Sequence, residues 1–252
     1  TTRLIAISPK LKEELLNQYR IGKEAQYRLV ELGIDLAPYL NGKLHRGFLR
    51  RELGCPGDWR LVGIIGRLAE IKNHEMFLRV AQRTLQATRQ VGFVVIGGGP
   101  REALLRSMAQ DLGIASHVFF LQFRDDLPRL YPDLDVVVLT SRNEGTPVSL
   151  IEAMAAGKAV LSTRVGGVAD LVADGEAGIL VDANDEEGMA WALVRLLADD
   201  NLRQRLGQRG RAQVYPRYEV HTLAAHIHRT YQEALAEVRE RAHGPRPLIR
   251  EH

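Results

Sequence analysis

The sequence predicts an α/β fold: a doubly wound, mostly parallel six-stranded sheet with C-terminal helices. Three observations predict it. Short unbroken runs of Val, Ile and Leu recur between residues 61 and 181, the mark of strands covered on both faces. Helical stretches alternate with them, which gives parallel strands joined by right-handed crossovers. Further helical stretches, with no strand between them, follow the last run.

The first elements stand apart from that rhythm. Residues 3–7 read as a strand, and Ser8-Pro9 then opens a short amphipathic helix carrying Leu11, Leu15 and Leu16. Residues 27–31 read as a second strand, and Gly33-Ile34-Asp35 breaks the chain. This block is too small to build a core alone. Residues 48–53 suit a short helix, and Cys55-Pro56-Gly57-Asp58 a turn. Strands are then expected at 61–65, 91–96, 118–121, 136–139, 159–162 and 178–181. Between them lie predicted helices at 73–89, 100–112, 127–131, 147–156 and 168–173. Three more are predicted at 185–199, 201–214 and 218–242, and the tail 243–252 has no apolar period and should be flexible. There are no internal repeats.

With 252 residues the chain exceeds one ordinary doubly wound core and is short for two. Apolar residues at 45% and charged residues at 26% are those of a soluble globular protein. No apolar run reaches a membrane span of about 18–20 residues. The start lacks an initiator Met, resembles no signal peptide and reads as a strand within a longer protein. Cys55, the sole cysteine, excludes an internal disulfide and a cysteine-rich metal site, and suits a reducing cytoplasm. The net charge of +3 is spread along the chain, with basic runs at 46–51 and 203–217. Solvated helix faces explain such runs, and attraction to anionic ligands or lipid head groups is the alternative, which would place the protein at the inner membrane face. Nucleic acid is not an expected partner: there is no binding motif and no aromatic interleaving.

The chemistry concentrates in Ser141-Arg142-Asn143-Glu144-Gly145-Thr146-Pro147-Val148-Ser149-Leu150-Ile151-Glu152. Glu144 falls in the loop after the fourth main strand, and Glu152 on the inner face of the following helix. Thr146 is expected as the N-cap and Pro147 as the first helical residue. Gly145 lets the backbone approach a ligand. The helix start, with Thr146, Val148 and Ser149, then offers free N–H donors and two hydroxyls to an anion. Acids beside an anion site make sense if they grip hydroxyls. The pattern fits a nucleotide-sugar, with diphosphate in the middle, ribose on one side and hexose on the other.

In a doubly wound sheet the ligand sits at the carboxyl ends of the strands, where their order reverses. For an order 3-2-1-4-5-6 the reversal lies between the first and fourth strands. The first ends in Gly66-Arg67-Leu68-Ala69-Glu70-Ile71-Lys72-Asn73, the fourth in the Glu144 turn. Arg67 and Lys72 are thereby placed as phosphate clamps, one a planar fork and the other a mobile point charge. Glu152 taken alone would be an exposed helix acid paired with Lys158; on the same side as Glu144, its direction favours a ribose hydroxyl.

Other motifs carry less. Gly97-Gly98-Gly99-Pro100 is an incomplete dinucleotide fingerprint and reads as a tight strand–helix turn, with Pro100 opening the helix and Gly97 bordering the base. Phe123-Arg124 is placed to line a base pocket or to pack a loop. Asp133-Leu134-Asp135 lies at the start of a strand, the wrong end for a switch-point metal, and reads as strand punctuation. Val165-Gly166-Gly167 is either a close approach to a ligand or partner lobe, or a plain turn. His74, His117, His221, His226 and His228 show no ligand spacing, and Ser149 lacks a nucleophile elbow.

Gly66-Arg67 with Lys72-Asn73, Gly97 to Gly99, Glu144 with Glu152-Ala153-Met154-Ala155-Ala156-Gly157, Gly166-Gly167 and Asp174-Gly175 with Gly178-Ile179-Leu180-Val181 together resemble a family. They look like the Rossmann-like donor-binding C-terminal lobe of retaining GT-B fold glycosyltransferases, family 4, over residues 58–200. The resemblance implies that Glu144 holds the sugar hydroxyls and Glu152 the ribose. It implies that Arg67 and Lys72 neutralise the diphosphate in place of a metal, helped by backbone donors in the stretch Thr146–Val148, where Pro147 itself has no N–H. No cofactor or metal is then expected, and UDP is the favoured donor nucleotide. By the same resemblance, residues 1–38 would be a remnant of the acceptor lobe and the hinge, 39–217 the donor domain, and 218–242 a helix bracing the missing lobe. Glu31-Leu32 stands where the family's hinge has Pro-Asn. With the acceptor lobe missing, the chain is expected to bind a nucleotide-sugar and transfer nothing by itself. The alternatives are a nucleotide-sugar epimerase of the same fold, which needs more acid/base groups than can be placed, and a non-catalytic nucleotide-sugar-binding module. An oxidoreductase is disfavoured by the incomplete fingerprint.

Overall fold

The computed structural model describes residues 3–242, and the predicted flexible tail 243–252 lies outside them. The chain forms two compact units. One joins the residues up to Ile34 with those from Tyr218 onward, and the other is Asp35–Arg217. The first boundary falls between Ile34 and Asp35, earlier than the expected 38/39.

In the first unit β1 (Leu4–Ala6) pairs in parallel with β2 (Tyr27–Leu29), in register Leu4 to Tyr27. Ser8 caps α1 (Pro9–Glu13), its hydroxyl accepting from the Leu11 N–H, and one π turn over Glu14–Gln18 prolongs it. Both strands are shorter than the sequence suggests.

The second unit starts with α2 (Ala37–Leu40) and α3 (Phe48–Leu53). The repeating part then runs β3 (Arg60–Ile65), α4 (His74–Ala87), β4 (Val91–Ile96), α5 (Glu102–Asp111) and β5 (Val118–Leu121). It continues with α6 (Leu127–Leu130), β6 (Val136–Leu139), α7 (Val148–Ala155), β7 (Ala159–Thr163), α8 (Val168–Leu171) and β8 (Ile179–Val181). α9 (Glu186–Ala198) and α10 (Asp200–Val214) follow, each N-capped by an aspartate, Asp185 and Asp199. The last helix, α11 (Val220–Ala242), belongs to the first unit, where the Val220 N–H donates to the Ile34 carbonyl. His221, His226 and His228 all lie on it.

The six main strands are all parallel, in the order β5-β4-β3-β6-β7-β8. Counted from β3, that is the expected 3-2-1-4-5-6, with the reversal between β3 and β6. Val62, Ile64, Phe93, Val95, Val136, Val138 and Leu161 point to one face and form a core with Met76, Phe77 and Val80 of α4 and Leu193 and Leu196 of α9. Phe77 and Phe93 meet edge to face at 5.8 Å there. The opposite face carries α7, whose Leu150, Ile151, Ala153 and Met154 are fully buried. Burial on both faces explains why the strands read as apolar runs without alternation. No helix among the described residues is long and apolar enough to cross a membrane.

Candidate functional site

Two loops meet at the reversal. The loop after β3 is locked to the loop after β4 through backbone: the Gly66 N–H donates to the Ile96 carbonyl and the Leu68 N–H to the Gly98 carbonyl. Gly97 has a φ of +143°, and a Cβ there would run into the Gly66 carbonyl, so glycine is required for the two loops to cross. Between these bonds Arg67 is exposed, and its guanidinium has no partner among the described residues. Pro100 sits in the turn; α5 opens later, at Glu102, with Arg101 at the cap, because the Gly97–Gly99 crossing uses up the chain that a helix start would need.

The loop after β6 packs against the first. The Thr140 hydroxyl donates to the carbonyls of Lys72 (3.1 Å) and Asn73 (2.9 Å), and the Arg142 N–H to the Ile71 carbonyl. Glu144 is consequently beneath the basic loop. Its Oε1 receives Lys72 Nζ at 2.6 Å and the Ser141 hydroxyl at 2.6 Å. Its backbone carbonyl is held by the Gly167 N–H at 2.9 Å. Gly166, at a φ of +50°, passes so close that a Cβ would strike that carbonyl. The close approach of Gly166-Gly167 is therefore to Glu144 itself.

α7 starts one residue later than expected. Pro147 is the cap, extended at φ −74° and ψ 104°, and Thr146 makes no cap hydrogen bond. Proline has no side-chain acceptor, and its carbonyl already takes the Leu150 and Ile151 N–H groups. The N–H groups of Gly145, Thr146, Val148 and Ser149 find no acceptor among the described residues. They form a row of donors beside the Lys72–Glu144 pair, the arrangement that receives an anion at a helix start.

Glu152 is not the exposed acid paired with Lys158. It is 8% exposed, accepting from Tyr39 Oη at 2.6 Å and Tyr131 Oη at 2.9 Å. Burial raises its carboxyl pKa, and the two tyrosine hydrogen bonds oppose that rise. Lys158 donates to the Pro132 carbonyl instead, at the far end of the helix. The two tyrosines occupy two of the roughly four acceptor positions of the Glu152 carboxylate.

Beside Arg67 lies an open cleft of about 510 Å³ with apolar walls from Ile65, Ile96, Phe123 and Leu127. Phe123 is 80% exposed. Arg124 lines the cleft, but its fork is engaged by Asp126 (2.7 and 2.8 Å) and Glu52 (2.5 Å), and the Asp126 bond above all pushes its pKa up. Asp133 and Asp135 are strand punctuation in fact. Asp133 takes the Gly47 and Arg50 N–H groups, and Asp135 pairs with Arg50 and Arg60. Among the described residues no group of three His, Cys, Asp or Glu side chains is placed to hold a metal.

Sequence reasoning missed Tyr39 and Tyr131, and named Ser141 and His74 without giving either a partner. Ser141, three residues before Glu144, was the legible one. His74, the first residue of α4, is 1% exposed and both its ring nitrogens lack a partner among the described residues. Burial drives its pKa down to about 4, with Lys72 adding to the fall and Glu75 opposing it.

Known proteins resemble the chain in sequence and fold. The glycosyl transferases group 1 family matches residues 45–213. A D-inositol 3-phosphate glycosyltransferase of Corynebacterium urealyticum is 34% identical over 190 residues, covering 71% of this chain and 45% of that protein. Its counterpart in Salinispora arenicola is 34% identical over 224 residues, covering 83% and 50%. The chain thus spans about half the length of these curated relatives. HepE of Anabaena, solved in complex with UDP, superposes with a TM-score of 0.86 at 24% identity over 92% of this chain and 64% of that one. The sucrose-phosphate synthase of Thermosynechococcus elongatus gives 0.79 at 26% over 92% and 58%. With the fold of the GT-B glycosyltransferases and a family match over most of its second unit, the chain belongs to the glycosyl transferases group 1 family.

Proposed function

We propose that this chain is the donor-binding half of a retaining glycosyltransferase that moves a sugar from a nucleoside diphosphate sugar, UDP-sugar first, to an acceptor hydroxyl. One observation carries the reading. The basic loop after β3 and the acid-flanked turn after β6 converge at the switch point, with Lys72 on Glu144 at 2.6 Å and Arg67 open beside a row of free N–H groups. In this reading the diphosphate lies over those donors and Arg67, and draws Lys72 off Glu144. The released carboxylate then takes sugar hydroxyls, and Glu152 takes the ribose. The base lies on the apolar walls that include Phe123.

The acceptor oxygen bonds to the anomeric carbon on the face from which the diphosphate departs. The carbon–oxygen bond to the diphosphate breaks, and the acceptor proton passes to that leaving group. Negative charge grows on the diphosphate, where Arg67, Lys72 and the helix-start N–H groups meet it. Preorganised stabilisation of this kind commonly contributes more to catalysis than any other single effect. The two cations supply the charge a metal would supply elsewhere. Because the chain spans about half the length of its relatives, the acceptor and the activity of the whole protein belong to this proposal, and the 252-residue chain is expected to bind donor and transfer nothing by itself. A cytoplasmic setting, with peripheral contact at the inner membrane face, belongs to it as well. UDP is proposed because HepE holds it, and the base is what a titration decides.

That titration is calorimetric: UDP, GDP and ADP against the chain, with and without magnesium, repeated on Arg67→Ala and Glu152→Ala. UDP should bind best and without metal, and Arg67→Ala should weaken it about tenfold or more, the worth of charge-assisted hydrogen bonds. Binding that requires magnesium would count against the cationic clamp, and equal affinity in both variants would remove the site.

A further inference from the structure

The basic runs at 46–51 and 203–217 both contribute to one cavity in the fold. The fold brings Arg46 and Arg211 together with Lys158 around a cavity of about 340 Å³. It opens at the amino ends of the strands, where Asp135 precedes β6 and Lys158 precedes β7. The donor cleft is at the other end of the same strands, roughly 20 Å away for a six-residue strand.

Charge in the cavity is unevenly matched. Asp133 is used by two backbone N–H groups, and Asp135 by Arg50, Arg60 and the Leu61 N–H. Three of the lining cations form no ion pair among the described residues, although Asp133 and Asp135 line the same cavity. Lys158 reaches only the Pro132 carbonyl (2.7 Å), Arg211 only the Leu40 carbonyl (2.6 Å), and Arg46 has no partner among the described residues. Lys158 is largely withdrawn from water, and burial pushes its pKa down to about 8, with Arg46 and Arg50 adding to the fall and Asp135 and Asp133 opposing it. With Arg50, four cations line the cavity against the two carboxylates of Asp133 and Asp135, an excess of positive charge that a bound anion offsets. Two planar forks and a point charge are the means by which proteins hold phosphoryl oxygens. The volume admits a phosphate, a pyrophosphate or a small phosphorylated molecule.

We infer that Arg46, Lys158 and Arg211 form a second anion site, for a phosphoryl group, at the amino ends of the sheet strands and separate from the donor cleft.

Inorganic phosphate and pyrophosphate titrated calorimetrically into the full chain test it, with Arg46→Ala, Lys158→Met and, as the donor-cleft control, Arg67→Ala. Arg46 is exposed, so its variant should fold as the parent does, which circular dichroism checks. Saturable binding is expected, about tenfold weaker in the Arg46 and Lys158 variants and within about twofold of the parent in the Arg67 variant. Sedimentation with phosphatidic acid vesicles, against phosphatidylcholine alone, separates the sources: Arg46-dependent capture assigns the phosphoryl group to lipid, and binding of free phosphate without capture assigns it to a soluble ligand. The inference fails if neither phosphate, pyrophosphate nor vesicles bind below about 10 mM, or if the loss follows Arg67 and not Arg46 and Lys158. Because Arg67 alone reports on the donor cleft, failure here leaves the donor reading standing.

Discussion

Replacing Glu144 by glutamine should tighten UDP while penalising UDP-sugar. In the free protein Lys72 Nζ lies 2.6 Å from Glu144 Oε1, with the glutamate side chain 9% and the lysine side chain 27% exposed. A diphosphate must take that ammonium from the carboxylate before it gains from it. The gross attraction of so close a pair is several kcal/mol at an effective dielectric constant of about 20, but desolvation cancels most of it. Exposed pairs are measured at about 0.2–1 kcal/mol, so about 1 kcal/mol is a fair net value for this partly buried one. Neutralising the acid without changing its shape then frees about 1 kcal/mol for UDP, a gain of roughly fivefold. UDP-glucose should gain less or lose, because the amide has a single acceptor atom for the sugar hydroxyls. Calorimetry of both ligands at one ionic strength of about 0.1 M, where screening is held constant, reads the ratio directly. UDP affinity that falls or stays level in Glu144→Gln would show that Lys72 is not the diphosphate's ligand.

Two further outcomes concern the frame of the site. His74 is held neutral, with its pKa near 4 against 6.5 in the unfolded chain, so the unfolded state binds the extra proton and stability is lost as pH falls from 6.5 toward 4. In urea titrations His74→Leu should gain on the parent as pH falls, by about 1 kcal/mol at pH 5.5 and about 2 to 3 kcal/mol at pH 4.5, relative to pH 7.5; parallel loss in both proteins would contradict this. Gly166→Ala should cost at least about 2 kcal/mol, from the left-handed backbone and the collision with the Glu144 carbonyl, and should weaken UDP-sugar. Gly54→Ala, at φ +61° with open space around it, carries the backbone cost alone. Thermal melts showing equal losses for the two would mean that the crossing at Glu144 is not tight.

The architecture was legible because it rests on local signals. Strands buried on both faces must be apolar throughout, so Val91 to Ile96 and Val136 to Leu139 could be read to the residue. Turn chemistry placed Gly66-Arg67 and Glu144-Gly145 after strands, and the handedness of crossovers brought those two loops to one crevice. The choice of Arg67, Lys72, Glu144 and Glu152 as a set came from the same logic. Helix starts were less legible. Pro147 and Pro100 each suit a first helical turn, yet one became a cap and the other a turn residue, because backbone bonds to neighbouring loops had already fixed the chain there.

By itself, then, the sequence determined the order of strands, the ends at which chemistry gathers, and the residue types waiting there. Only the tertiary structure decided how those groups are spent. It put Lys72 on Glu144, closed two tyrosines from distant segments over Glu152, pressed Gly166 against a carbonyl, and gathered Arg46, Lys158 and Arg211 at the opposite end of the sheet. Periodicity along a chain reports which side of an element is buried. Partner identity depends on which elements the fold lays side by side, and residues as far apart as Tyr39 and Glu152 share no local pattern that could announce their contact.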